Sequence, residues 1–106
     1  MAENGLLGIT LPERDGGQGG APFDAILAID QVGQVCPRSA DVIQAGSFGP
    51  IRTFAELATQ DQKDRFLPDL LAGKTVISPC MSEPQAGSAV TELKTQAKFD
   101  GDDRRW

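Results

Sequence analysis

The chain has 106 residues, the size of one small domain or a piece of a larger one. Its 10 Lys+Arg against 15 Asp+Glu give a formal net charge of -5, with the signs interspersed, which argues against a surface built to bind nucleic acid. With no histidine and only two cysteines, it lacks the Ser–His and Cys–His pairs of nucleophilic catalysis and the ligand set of a metal site.

Residues 5–12 form an apolar segment stopped by Pro12, and the charged, glycine-rich stretch 13–20 that follows reads as a loop or turn. A first helix begins near Pro22, a residue suited to a first helical turn. Ala25, Ala28, Ile29, Val32 and Cys36 make one helical stripe. Phe23, Ile26 and Leu27 add apolar side chains on other faces, so burial on more than one side is expected, with Pro37 ending the helix. Ser39 is a candidate N-cap for a second helix running towards Leu57, with a kink or break at Gly46, Gly49 and Pro50.

Thr59 with Gln62 three residues later is a capping box, the clearest helix start in the chain. Phe66, Leu67, Leu70 and Leu71 supply that helix's apolar face and Gly73 suits its C′ position, while Pro68 should bend or split it. After Lys74 the character changes. The β-branched Thr75, Val76 and Ile77 lead into an extended apolar run to Ser82, interrupted at Pro79, which donates no ladder hydrogen bond. Residues 83–88 form a Pro/Gly loop. Thr95, Ala97 and Phe99 alternate with polar residues as in a half-buried strand, and Asp100-Gly101 signals a hairpin. Only residues 102–106 remain for the returning strand, so the β part is expected to be unfinished.

Two glycine motifs fail as nucleotide sites. In residues 15–20, the third glycine of a G-x-G-x-x-G pattern falls on Pro22, and no long strand precedes it. Gly73-Lys74-Thr75 resembles the end of a phosphate-binding loop, but Pro68 occupies the position of its first glycine, and a helix precedes instead of following. The loop from Cys80 to Ser88 is different. It has hydroxyls at Ser82 and Ser88 and several backbone N–H groups, a set that suits an anionic or carbonyl-bearing ligand.

No basic stretch followed by an apolar core marks the N-terminus as a secretory signal, and no stretch approaches the ~18 apolar residues that span a bilayer. Cys36 and Cys80 are expected to be buried, reduced thiols in a cytoplasm-like compartment.

Residues 80–88, CMSEPQAGS, resemble the T/S-E-P-x-A-G-S-D signature of acyl-CoA dehydrogenases. The stretches GLLGITLPERDGGQG (5–19), GPIRTF (49–54), TQDQKDRFLPDLLAGK (59–74) and LKTQAKFDGDDRRW (93–106) resemble further segments of that family in the same order. The resemblance covers nearly the whole chain and implies an α+β architecture. Residues 1–73 would belong to the family's N-terminal helical domain, and residues 74–106 would start its middle, β-barrel-like domain.

The resemblance also implies bound FAD and oxidation of the Cα–Cβ bond of an acyl-CoA, with an electron-transfer flavoprotein reoxidising the flavin. By that match Pro79, Cys80, Met81 and Ser82 lie beside the isoalloxazine ring, the Met81 backbone and the Ser82 hydroxyl bonding its polar edge. Gly87 would permit a close backbone approach, and Ser88 would contact ligand at the acyl-CoA entrance.

Three positions depart from the family pattern. Ala89 stands where Asp is usual, Gln85 replaces a common glycine, and Pro79 replaces a larger residue. Neither Glu83 nor Glu92 matches the catalytic base, which the family draws from its C-terminal helical domain. The family implies a homo-oligomer, located in the cytoplasm, or in the mitochondrial matrix of a eukaryote. The competing expectation is a truncated relative without catalysis, acting as an interaction module or without function.

Overall fold

The computed structural model describes residues 1–99 and Gly101. Among these, four α-helices follow one another: α1 (Pro22–Gly33), α2 (Pro37–Ser47), α3 (Pro50–Leu57) and α4 (Gln60–Leu71). Short 3-10 turns occupy Ala2–Asn4, Glu13–Asp15 and Val90–Glu92. Each helix packs mainly on the next, α1 on α2, α2 on α3 and α3 on α4.

Local chemistry explains the helix boundaries. Helices α1, α2 and α3 each open with a proline in the first turn, where the missing N–H has no intrahelical partner to lose. Pro37 therefore starts α2, whereas the sequence reading had it ending the first helix, and α1 already stops at Gly33. Cys36 is the N-cap of α2, and Ser39 lies inside its first turn. The break expected between Gly46 and Pro50 is present, with Gly49 as N-cap of α3.

The capping box of α4 is formed. The Thr59 N–H donates to Gln62 Oε1 at 2.9 Å, and the Gln62 N–H donates to Thr59 Oγ1 at 3.4 Å. At the other end Gly73 adopts φ 68°, its N–H bonds the Leu70 carbonyl, and the Lys74 N–H bonds the Asp69 carbonyl. That pair of bonds is a Schellman closure, and the left-handed φ explains the glycine. Pro68 lies within α4 without splitting it. The residues on either side of it hold the helix in place, since Leu67 and Leu70 are both buried and the closure at Gly73 secures the last turn.

The apolar segment 5–12 runs as an irregular thread through the interior. Leu7, Ile9 and Leu11 are all buried, Leu11 completely. Leu11 joins Ile51, Ala55, Leu67 and Leu70 in a cluster between α3 and α4. Ile9 joins Ala25 and Ile43 in a second cluster against α1 and α2. A fully buried leucine or isoleucine stabilises the fold by about 1.5–3 kcal/mol, so this thread is a principal tie between the helix pairs.

The thread forms no strand, and its carbonyls are satisfied by the glycine-rich turn folding back on it. The Gln18 N–H donates to the Gly8 carbonyl at 3.0 Å, Gly19 N–H to Leu11 at 2.8 Å and Gly20 N–H to Ile9 at 2.8 Å. A Cβ at Gly17 would sit 2.3 Å from the Leu11 oxygen, which leaves no room for a side chain. Asp15, at the start of this turn, is buried and accepts an ion pair from Lys63 of α4, with Nζ 3.3 Å from each carboxylate oxygen. An edge-to-face pair, Phe54 and Phe66, with centroids 6.1 Å apart, adds a contact between α3 and α4.

Three expectations are corrected. Phe23, Ile26 and Leu27 are 65%, 51% and 47% exposed, so α1 is buried along its Ala25 stripe and its other apolar faces are uncovered by the described residues. Cys36 is only half-buried and Cys80 is exposed; the first sits at a helix N-cap and the second on a segment with nothing packed over it. No strand forms over residues 75–82 or 95–99, and the only β feature among the described residues is an isolated Glu83–Ala86 bridge. A strand is stable only against a neighbour, and the returning strand expected at 102–106 lies outside the described residues.

Two substitutions test this packing by chemical denaturation. Gly17→Ala should cost about 1–3 kcal/mol, as forced overpacking does; an unchanged midpoint would show that turn and thread are not in contact. Ser47 is fully buried with a hydroxyl that has no partner among the described residues, although its carbonyl accepts the Thr10 hydroxyl. Ser47→Ala removes that unpaired group and should leave stability equal or raise it, by up to about 1–3 kcal/mol.

Candidate functional site

Beyond α4 the chain is extended and mostly exposed, with Ile77 half-buried and Ala86 buried. The predicted residues Pro79, Cys80, Met81, Ser82, Gly87 and Ser88 are all exposed. Ile77 packs on the α3–α4 cluster and anchors the segment to the helical body. Between the two lies an open cleft of about 550 Å³, walled by Phe54, Leu57 and Ala58 on the helical side and by Ile77, Pro79 and Met81 on the other. The structure therefore brings Pro79 and Met81 to one apolar cleft, while Cys80, Ser82, Gly87 and Ser88 do not line it.

The polar groups here are left without partners by the described chain. Among the described residues the N–H groups of Cys80, Met81 and Ser82, and the hydroxyls of Ser82 and Ser88, have no hydrogen-bond partner. A Cβ built on Gly87 meets nothing within 4 Å. Among the described residues no group of three or more His, Cys, Asp or Glu is arranged to hold a metal ion.

Glu83 organises the loop that carries Gly87 and Ser88. Its backbone and that of Ala86 exchange two hydrogen bonds, Glu83 N–H to Ala86 O at 2.9 Å and Ala86 N–H to Glu83 O at 3.0 Å, with Pro84 and Gln85 at the tip. Its carboxylate reaches across to the far end of the loop. Oε2 accepts the Lys94 N–H at 2.9 Å and Oε1 accepts the Thr95 N–H at 2.8 Å. The Thr95 hydroxyl donates to Oε1 and the Gln85 side-chain amide to Oε2. These donors hold the carboxyl down to about 2, the Thr95 hydroxyl contributing most, followed by the backbone N–H groups of Lys94 and Thr95. Sequence reasoning considered Glu83 only as a poor candidate for a base; a carboxylate bonding residues eleven and twelve positions downstream leaves no recognisable spacing.

Cys36 also departs from its ordinary range. Its thiol is lowered chiefly by the Ser39 hydroxyl, which donates to Sγ at 3.2 Å, and next by the Ser39 backbone N–H. It lies at the start of α2, apart from the loop.

Residues 1–74 match the family model described as "Acyl-CoA dehydrogenase, N-terminal domain". The chain belongs to the acyl-CoA dehydrogenase family. It is 36% identical over 103 residues to the 3-sulfinopropanoyl-CoA desulfinase of Paraburkholderia xenovorans, a match covering 96% of this chain and 26% of that protein. It is 34% identical to the acryloyl-CoA reductase (NADH) of Anaerotignum propionicum, over 94% of this chain and 25% of that protein. It is 33% identical to the mitochondrial isovaleryl-CoA dehydrogenase of Bos taurus, over 92% and 23%. The chain thus spans about a quarter of the length of the curated relatives it matches. No solved structure matches it. Among the described residues no helix is long and apolar enough to cross a membrane.

The low carboxyl value sets a pH dependence for the loop that Glu83 holds. Because the closed loop depresses the Glu83 value below its ordinary 4.5, closure is favoured above about 4.5 and lost as the pH falls towards 2. An NMR titration of the Thr95 amide should therefore show its midpoint near 2; a midpoint at the ordinary carboxylate value would mean that the carboxylate does not hold the loop.

Proposed function

We propose that this chain contributes the flavin-facing edge and the substrate approach of an FAD-dependent acyl-CoA dehydrogenase, oxidising the Cα–Cβ bond of an acyl-CoA thioester. The observation that carries the reading is the row of unpaired donors at residues 80–82 beside an apolar cleft, in a chain of this family. A flavin ring has a polar edge and broad apolar faces, and this donor set fits both. The Met81 N–H and the Ser82 hydroxyl would bond the edge, while the side chains of Pro79 and Met81 would lie against the ring system. Cys80 adds a backbone contact. Gly87 leaves its backbone open to close approach, and the free Ser88 hydroxyl would contact the ligand near the acyl-CoA entrance.

FAD, when bound, supplies the hydride acceptor; the protein groups orient it and tune its electronics. The chain's own contribution is therefore positional. Glu83 is committed to four donors in its loop and is unsuited to abstract a proton. The base would come from residues outside this chain, as would the remaining flavin contacts, so these 106 residues alone should not turn over an acyl-CoA. The substrate class has independent support, because the names of all three relatives above specify a CoA thioester while their reactions differ. The whole enzyme would be a homo-oligomer reoxidised by an electron-transfer flavoprotein, in the cytoplasm or, in a eukaryote, the mitochondrial matrix.

The test is flavin absorbance of the natively purified protein together with its intact mass, then titration with FAD. The reading expects flavin in the natural product and bleaching on anaerobic addition of an acyl-CoA. Gly87→Ala sharpens the test, since its Cβ meets nothing within 4 Å. Thermal stability should stay as in the wild type while FAD affinity falls about tenfold, some 1.4 kcal/mol. A natural product that neither carries nor takes up flavin overturns the reading.

A further inference from the structure

We propose that Glu83 is a positioning residue whose carboxylate closes the 84–93 loop at its base and so fixes Gly87 and Ser88 relative to Met81 and Ser82. For its consequence on flavin binding this rests on the function proposed above; the closure itself does not. The geometry is that of a clasp with two independent jaws. Oε1 takes both donors of Thr95, its N–H at 2.8 Å and its hydroxyl. Oε2 takes the Lys94 N–H at 2.9 Å and the Gln85 side-chain amide. Glu83 is also the residue directly after Ser82, so any change in where its carboxylate is held is passed to the proposed donor edge.

Nothing else described does this work. The loop has one isolated bridge, between Glu83 and Ala86, and the turn Val90–Glu92 has no buried residue. Ala86 is its only buried member among the described residues. With so little apolar burial, the loop has few means of ordering besides these hydrogen bonds, and bonds to a charged acceptor are shorter and stronger than those between neutral groups.

Gln85 gives the clasp a further side-chain donor. It stands where the sequence pattern commonly has glycine, and its amide holds the same oxygen that receives the Lys94 N–H. The side chain thus fills one side of the carboxylate and orients the other towards the strand-like residues 94 and 95.

The deciding experiment is amide hydrogen exchange and backbone order parameters by NMR on the 106-residue chain, comparing wild type, Glu83→Ala and Glu83→Gln. Gln96 and Ala97, whose N–H groups have no described partner, serve as internal references. In the wild type the Lys94 and Thr95 amides should exchange at least about tenfold more slowly than the references, a factor corresponding to roughly 1.4 kcal/mol. Glu83→Ala should abolish that protection and lower the order parameters of Gly87 and Ser88, with the helical circular dichroism unchanged. Glu83→Gln keeps one oxygen and turns the other acceptor into a donor, so protection should survive at one of the two amides and disappear at the other.

Unprotected wild-type amides, or protection that survives Glu83→Ala, overturns the clasp. Loss of protection with Gly87 and Ser88 unchanged overturns the positioning role. FAD titration of the natively purified protein then separates the two readings: if it neither carries nor takes up flavin the functional proposal fails, while the exchange data still decide the clasp. If the wild type binds FAD, Glu83→Ala should weaken it about tenfold at unchanged melting temperature, an effect that a merely stabilising residue does not produce.

Discussion

The helical part of this protein depends on one solution to a backbone problem. An apolar thread, Leu7, Ile9 and Leu11, is buried between helices without being helix or strand, so its carbonyls need partners that regular structure does not supply. Backbone N–H groups from the glycine-rich turn supply them, at Gly8, Ile9 and Leu11. This requires the turn to lie directly on the thread, and at Gly17 the approach is closer than any side chain permits. The Lys63–Asp15 pair then fastens the same turn to α4. Thread, turn and helices are therefore one unit. A glycine run that superficially suggests a dinucleotide-binding fingerprint is here the cover of a buried backbone.

That arrangement also explains how the exposed segment is placed. The thread's Leu11 contributes to the α3–α4 cluster, and Ile77 packs on the same cluster after the chain leaves α4. The Schellman closure at Gly73 stops the helix and redirects the backbone, so the segment after it returns over α3. Pro79 and Met81 reach the cleft because Ile77 is held, and the donor edge at residues 80–82 follows from their extended backbone. Folding energy and site geometry thus meet at a single half-buried side chain.

Much of the helical part was legible in the sequence because local signals and tertiary packing agree there. Thr59 and Gln62 announce a helix start, Gly73 its end, and buried Ala25 with half-buried Ile29 the inward stripe of α1. Where local signals are ambiguous the reading erred. Pro37 stands equally well after one helix or at the start of the next, and the unpaired first-turn donors of α2 decided for the start. Hydrophobicity alone could not say that Phe23, Ile26 and Leu27 remain uncovered, because burial depends on what packs there. The β reading of residues 75–82 and 95–99 has the same origin: β-branched and alternating residues describe what a strand would contain, whereas pairing requires a partner. The site residues proposed at 79–88 rest on the family resemblance, and the carboxylate contacts of Glu83 were not legible, since they join positions whose proximity exists only after folding.

The family relationship constrains the chemistry less tightly than the binding. Relatives of similar identity are named as a desulfinase, a reductase and a dehydrogenase, yet each name contains a CoA thioester. A scaffold shared among different reactions must contribute what those reactions have in common. Backbone donors next to an apolar wall, as at residues 80–82, would suit that role, because a backbone N–H survives every side-chain substitution except proline. Residues that differ between such enzymes then act on top of a fixed frame. In this chain the departures at Gln85 and Ala89 fall inside the loop, the one at Pro79 falls in the segment that walls the cleft, and Gln85 bonds the carboxylate that closes the loop. Two of the three departures thus fall on the loop that Glu83 holds, and the third, Pro79, lacks a backbone N–H next to the free donors at residues 80–82.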